Sequence, residues 1–200
     1  LQKHFSAGAD LKERQKMSSK DTKKFLKKVN KIFNNIENLS IPTIASIHGA
    51  ALGGGLELAL CCDFRIASEG AILGLPETSL GIIPGAGGVF RLSKLIGLSK
   101  SKYWIFTAQK FSSESAYADG VVDFLSKEEE LLGVTLEIAQ EILNNAPLAL
   151  KAVKGLFNST DIEKLCKLQE KAYSTIIDTE DKKEALKAFI DKRKPNWKGK

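Results

Sequence analysis

Histidine is scarce. Of 200 residues only His4 and His48 carry an imidazole, which argues against a histidine-based triad or a histidine-rich metal site. Cysteine occurs three times, at Cys61, Cys62 and Cys166. Cys61 and Cys62 are adjacent and no metal-ligand spacing appears, so buried thiols in a reducing compartment are expected, with no metal. No apolar run approaches the length of a bilayer crossing, so no membrane span is expected. Internal repeats, low-complexity segments and a visible targeting segment are missing as well. Charge of one sign is in modest excess, with 30 Lys and Arg against 24 Asp and Glu and a net charge of +6. That balance suits an anionic ligand or RNA, but a solvated lysine-rich surface explains it equally. There is no G-x-G-x-x-G, and no Lys-Ser/Thr follows the glycine run, so the nucleotide-binding fingerprints fail.

What is present is an ordinary globular composition, with 43% hydrophobic and 27% charged residues in a chain long enough for one sizeable core. The opening "LQKHFSAGAD" has no initiating Met and reads as the interior of a domain rather than its beginning. From residue 13 to about 39, Phe25, Val29, Ile32, Phe33 and Ile36 recur at helical spacing, with Lys20, Lys23, Lys24, Lys27, Lys28 and Lys31 on the remaining face. "IPTIASIHG" reads as a buried strand entered at Pro42 and stopped by Gly49; "FRIAS", "AILGL" and "VVDFL" read as three more. "SKSKYWIFTAQ" and "SSESAYADG" read as helices, the second with Ser112 or Ser113 as cap and Gly120 as stop. Beyond Lys127 the pattern turns helical: two helices divided at Asn145–Pro147, one from Asp161, and one from Thr179 with Glu180 and Asp181 in its first turn. The expectation is an α/β core over 1–126 and a helical C-terminal region over 127–200.

Three segments carry chemistry. Gly53, Gly54 and Gly55 lead from a strand into a helix, where free N–H groups and the helix dipole favour negative charge and the missing Cβ admits a ligand. On the glycines alone, a developing oxyanion and simple helix–strand packing both stay open. Glu57 follows two residues later in apolar company. "LPETSLGIIPGAGG", residues 75–88, places Glu77 after Pro76 and before a loop turned by Pro84 and Gly85. Paired carboxylates in a low-dielectric site are acid/base equipment, because burial and mutual repulsion raise a pKa. "HFSAGADLKER" ends a small-residue strand at Ala9 and Asp10, where a further N–H could join that of Gly54 in a two-donor hole.

Taken in this order, "FSAGADLKE", "HGAALGGGLELALCCDFRIAS" and "PETSLGIIPGAGG" resemble the signature segments of the enoyl-CoA hydratase/isomerase family, the crotonases. The likeness runs from about His4 to the C-terminal "AFIDKRKPNWKGK", and "GADLKERQKMS" with "ALGGGLELAL" is most similar to the methylglutaconyl-CoA hydratase branch, whose best-known member also binds AU-rich RNA. The resemblance implies a crotonase-like ββα spiral with a helical C-terminal extension. It implies hydration of the 2,3-double bond of a 2-enoyl-CoA thioester, short-chain or 3-methylglutaconyl, with coenzyme A part of the substrate and no separate cofactor. It places Ala9 and Gly54 at the oxyanion-hole N–H groups and Glu57 and Glu77 at the catalytic carboxylates, without assigning which is acid and which base. Gly85 falls near the reacting water, Asp10, Leu11 and Lys12 beside the coenzyme A moiety, and Tyr173 and Lys192 at positions in C-terminal helices that reach CoA, often that of a neighbouring subunit. A homotrimer or hexamer and a mitochondrial location are implied in the same way.

Two features depart from the family pattern. Its members begin several dozen residues earlier, so the N-terminal part of the domain is missing and "HFSAG" is expected to be an exposed edge strand, a liability for a monomer. Where the family reads Gly-Gly-Thr-Gln-Arg, this chain has Gly87-Gly88-Val89-Phe90-Arg91. The competing readings are a non-catalytic crotonase-like subunit or an RNA-binding protein using the lysine face. Isomerase chemistry needs only the acid at the Glu77 position, and retention of Glu57 favours hydration.

Overall fold

The computed structural model describes residues 3–10, 13–14, 16–157, 175 and 178–200. It contains two compact units, Leu1–Glu37 with Thr43–Leu136, and Asn38–Pro42 with Glu137–Lys200. The first holds helix α1 (Ser19–Glu37), strands β1 (Ile44–Ile47) and β2 (Ala50–Leu52), helix α2 (Gly54–Ala59), β3 (Phe64–Ser68) and β4 (Ile72–Gly74). A 3-10 turn (Pro76–Leu80), α3 (Gly88–Ile96), α4 (Leu98–Thr107), β5 (Phe111–Ser112), α5 (Ser113–Asp119) and β6 (Phe124–Ser126) follow. Helix α6 (Leu131–Leu143) runs across the division, and α7 (Pro147–Leu156) and α8 (Glu180–Ile190) belong to the second unit.

Two three-stranded sheets form, ordered β1-β3-β6 and β2-β4-β5. β3 runs parallel to both of its neighbours, and β2 parallel to β4; β4 and β5 pair antiparallel. The single strand expected over "IPTIASIHG" is therefore two. Gly49 takes a φ of 63°, a left-handed value that glycine adopts cheaply, and there the chain leaves the first sheet for the second. Gly70 (φ 78°) makes the corresponding step between β3 and β4. The strand expected at 121–125 starts later, at Phe124, because the Val121 and Val122 N–H groups both donate back to the Ala116 carbonyl. Helix α3 was not anticipated from the sequence. The "HFSAG" segment is not left unpaired: Phe5 and Ser6 donate to His48 and Ala50, and Leu52 donates to Ser6, which adds a parallel bridge beside β2.

Ile47, Leu56, Ile66, Leu73, Leu75, Leu92, Trp104 and Val121 are almost fully enclosed in the first unit. Trp104 stacks on Phe111 with ring centroids 3.9 Å apart and donates its indole N–H to Asp119 at 2.8 Å. Ser112 caps α5 by accepting from the Ser115 N–H, and Gly120 ends that helix in the left-handed conformation, as the sequence suggested. In the second unit the Asp181 carboxylate, 1% exposed, accepts from the Lys198 and Gly199 N–H groups at 2.6 and 2.9 Å and so fastens the C-terminal tail. The helix expected from Asp161 lies outside the described residues.

One buried ion pair ties β3 to the segment before β6. The Arg65 side chain, 4% exposed, donates to the Val121 and Cys62 carbonyls and to the Asp123 carboxylate, each at 2.8 Å. Asp123 also accepts from the Arg65 backbone N–H at 2.7 Å. Removing one member of such a pair strands the other charge. Asp123→Ala should lower the unfolding free energy by about 2 kcal/mol, measured by urea denaturation; a change within a few tenths would mean that water reaches Arg65 in the native state.

Candidate active site

The three consecutive glycines serve three different ends. Gly53 sits before α2 with φ 54° and ψ −124°, and a Cβ there would stand 3.0 Å from the Glu77 carboxylate. Gly55 is buried, and a Cβ would be driven into the Ser6 carbonyl. Gly54 differs from both. Its φ is not left-handed, and among the described residues a Cβ would meet only Gly8 Cα at 3.8 Å and Ala9 N at 3.9 Å. Those are ordinary contact distances, so neither backbone strain nor packing among the described residues requires glycine at position 54.

The same contacts put the Ala9 and Gly54 backbone nitrogens side by side. Gly8, with φ 87°, lies against the Leu52 carbonyl and the Gly54 nitrogen, so its missing side chain lets the two segments close up. Among the described residues no acceptor takes the Ala9 or Gly54 N–H. Two unused donors at a helix start are an arrangement suited to an oxyanion.

Glu57 lies one turn into α2 and is 3% exposed. Its Oε1 accepts from the Ala86 and Gly88 N–H groups, both at 2.8 Å. Gly88 has no room for a side chain, since a Cβ would fall 2.9 Å from Glu57 Cγ and Oε1. Burial raises the Glu57 carboxyl above its ordinary value, while the two N–H groups and the Arg91 charge oppose the rise. Glu77 is 8% exposed, and its Oε2 is buried with no hydrogen-bond partner among the described residues. Burial first, and the nearby Glu57 charge to a lesser degree, push Glu77 up to about 6, against the pull of its own backbone N–H. Fixed dipoles thus offset part of the cost of charging the buried Glu57, while Glu77 keeps an oxygen that no described residue occupies.

The loop that serves Glu57 is itself held from α1 and α3. Asn30 Nδ2 donates to the Gly85 carbonyl at 2.6 Å. Arg91 donates to the Ala86 carbonyl, to Asn34 Oδ1 and to Glu37 Oε2, each at 2.7 Å. A cleft of about 900 Å³ opens between α1 and this loop, lined by Leu26, Asn30, Pro84, Gly85, Gly87 and Arg91 among others; neither glutamate lines it. Asn30, Asn34, Glu37 and Arg91 were not singled out from the sequence. The signal was available, because residues 30, 34 and 37 form a polar stripe at i, i+4, i+7 between the lysine and apolar faces.

Ala9, Gly54, Glu57, Glu77 and Gly85 all lie in the first unit, and the first four converge as described. Asp10 is exposed beside Ala9. Leu11, Lys12 and Tyr173 lie outside the described residues. Lys192 does not lie in a helix as expected: α8 stops at Ile190, and Lys192 takes φ 52° in the turn beyond. The Cys61 thiol is buried, donates to the Glu57 carbonyl at 3.1 Å and is pushed up to about 12 by burial, which keeps it an inert thiol. Among the described residues no group of three His, Cys, Asp or Glu could hold a metal ion, and no helix is long and apolar enough to cross a membrane.

Known proteins resemble this chain in sequence and in fold. The sequence profile of the family described as "Enoyl-CoA hydratase/isomerase" matches residues 1–200. The probable enoyl-CoA hydratase 2, mitochondrial, of Arabidopsis thaliana is 46% identical over 198 residues, which is 98% of this chain and 66% of that protein. The human methylglutaconyl-CoA hydratase, mitochondrial, is 43% identical over 98% of this chain and 60% of its own length. The crystal structure of enoyl-CoA hydratase from Bacillus anthracis superposes with a TM-score of 0.94 at 42% identity, covering 97% of this chain and 76% of that one. The chain thus spans about two thirds of the curated relatives it matches, and its α/β architecture is the crotonase fold.

Two outcomes test this geometry. Gly55→Ala should cost about 1–3 kcal/mol of stability by overpacking, whereas Gly54→Ala should leave the melting temperature unchanged or raise it; equal losses would contradict the separate roles. For Glu77, the folded-state pKa of about 6 exceeds its ordinary 4.5. The stability it contributes is therefore complete below about pH 4.5 and lost as pH rises through 6. The stability of Glu77→Gln relative to the parent should grow by on the order of 2 kcal/mol between pH 4 and 7, read from urea midpoints; a constant gap would show that Glu77 titrates normally.

Proposed function

The chain belongs to the enoyl-CoA hydratase/isomerase family, and from that premise we propose that it adds water across the 2,3-double bond of a 2-enoyl-CoA thioester. The observation that carries this reading is Glu57, a buried carboxylate fixed by two amide N–H groups, near a second carboxylate whose buried Oε2 has no partner among the described residues. An isomerase that moves a proton needs one such acid; addition of water needs a base for the water and an acid for C2.

The thioester oxygen sits between the Ala9 and Gly54 N–H groups, which draw charge from C3 and stabilise the enolate-like oxygen; one such donor is worth about 3 kcal/mol of barrier. Glu57, whose charged form the Ala86 and Gly88 N–H groups favour against the opposing effect of burial, takes a proton from the water as its oxygen bonds to C3. Glu77, raised to about 6, delivers a proton to C2, so that water is added overall and the two carboxyls exchange protons to reset. The family resemblance assigns Asp10, Leu11, Lys12 and Gly85 to the coenzyme A and acyl portions, with Tyr173 and Lys192 as further CoA contacts. Exposed Ile83, Phe90, Leu98 and Phe106 suit burial in a threefold homo-oligomer.

A short-chain or 3-methylglutaconyl acyl group is the proposed substrate, since the relatives named above include both general and methylglutaconyl hydratases. Mitochondrial relatives and a bacterial structure match comparably, so the proposal is confined to the chemistry. The α1 lysines are all exposed, which suits solvent as well as RNA and does not favour the RNA-binding reading.

The deciding experiment compares hydration of crotonyl-CoA with that of 3-methylglutaconyl-CoA by the purified chain. Glu57→Gln and Glu77→Gln should each lower kcat by at least about 10²-fold with little change in KM. Gly54→Val should cost a similar factor, about 10²-fold, while the protein still melts as a folded chain. Near-normal turnover in any of the three would remove that residue from the mechanism.

A further inference from the structure

The hydrogen bonds around Glu57 continue one step outward. The Ala86 N–H that donates to Glu57 belongs to the same peptide group as the Gly85 carbonyl, and a trans peptide points the two in opposite directions. The front of that amide faces the carboxylate at 2.8 Å, and its back accepts from Asn30 Nδ2 at 2.6 Å. The second donor, Gly88 N–H, is differently supported: the Gly87 carbonyl behind it accepts from Phe90 and Arg91 N–H groups in the first turn of α3. One arm of the carboxylate clamp is therefore built into a helix, and the other rests on a side chain that reaches across from α1.

Asn30 is fixed for this task. Its Nδ2 also donates to the Leu26 carbonyl at 2.9 Å. Both partners are acceptors, which settles which end of the amide is the donor. No α1 side chain is buried, and the wide cleft lies between this helix and the loop. Leu26 of α1 packs against Gly85, and polar bridges add directed coupling: Asn30 to Gly85, and Asn34 and Glu37 through Arg91 to Ala86.

We propose that Asn30 is a positioning residue for the reaction, orienting and polarising the Gly85–Ala86 amide so that Glu57 stays ionised and aimed at water. This rests on the hydration reading above. The charged groups bearing on Glu57 are Arg91 from α3, Glu77 from the 3-10 turn, Glu37 of α1 through its ion pair with Arg91, and the neutral Cys61 thiol on its own segment. None of these groups is altered by Asn30→Ala, which removes the donor to the Gly85 carbonyl and that to the Leu26 carbonyl.

The test uses Asn30→Ala, the isosteric Asn30→Asp, which swaps a donor for an anion against the Gly85 carbonyl, and Asn30→His, which can restore an N–H donor. Two readouts are taken: the pH profile of kcat and KM on crotonyl-CoA, and the titration midpoint of the Glu57 carboxyl by ¹³C NMR, assigned through Glu57→Gln. Asn30→Asp and Asn30→Ala should lower kcat about tenfold with KM nearly unchanged, and should move the acid limb and the Glu57 midpoint to higher pH. Asn30→His should recover part of both. If the variants melt lower but the midpoint and the acid limb stay in place, Asn30 is structural and the inference falls. If the parent chain hydrates no enoyl thioester while the Glu57 midpoint still shifts, the hydration reading falls and the support of Glu57 by Asn30 stands.

Discussion

A carboxylate placed inside a protein core must be given what water gave it, and Glu57 is the position on which this constraint bears hardest. With 3% of its surface exposed it accepts two amide hydrogen bonds from one loop. Much of the surrounding structure follows from that requirement. Gly88 must be glycine for the carboxylate to approach its nitrogen, and Gly87 must take φ 92° to start α3 there. The loop carbonyls, turned away from Glu57, then need donors of their own, and Asn30 and Arg91 provide them. Arg91 in turn needs a counter-charge, supplied by Glu37 at the end of α1. A chain of obligations leads from one buried charge to a helix on the protein surface.

Glu77 is treated in the opposite way. Its environment withholds compensation from Oε2 and lets burial raise the acid to about 6. Two like residues in one site thereby acquire different protonation habits through their surroundings, one supplied with fixed dipoles and one left short of them. Because their titrations are coupled, the apparent values belong to the pair. The asymmetry of hydrogen bonding is what distinguishes the two carboxyls, and sequence spacing alone does not contain it.

Much of the site was nonetheless legible in the sequence. Glycine runs and small-residue turns announce close backbone approaches, and Glu57 and Glu77 stood out as acids in apolar company. The C-terminal boundary of α5 at Gly120 and the helix break before Pro147 follow from residue types with strong local preferences. What was not legible depends on long-range partners. Whether Gly49 ends a strand or passes it to another sheet is decided by Ile72, which donates to the Gly49 carbonyl. Val121 and Val122 look like strand residues, but Ala116 claims their N–H groups first. Asn30 is 55 residues from the carbonyl it holds; the polar stripe it shares with Asn34 and Glu37 marks a face of α1 but not the loop that face meets.

The departure at Val89-Phe90 can be understood in the same terms. Polar residues in that position could help to hold the glycine loop. Here Val89 packs against the core cluster and Phe90 stands 79% exposed, so neither side chain supplies a hydrogen bond to the loop. The geometry at Glu57 survives because the holding groups lie elsewhere: Arg91 one residue on, with four hydrogen bonds to Ala86, Asn34 and Glu37, and Asn30 opposite. Loss of polar groups inside the loop is compatible with an intact carboxylate clamp when the clamp is braced from outside. It follows that α1, whose side chains are nowhere fully buried, meets the loop both through Leu26 against Gly85 and through directed hydrogen bonds, and that the hydrogen bonds are what fix its register against the Glu57 clamp.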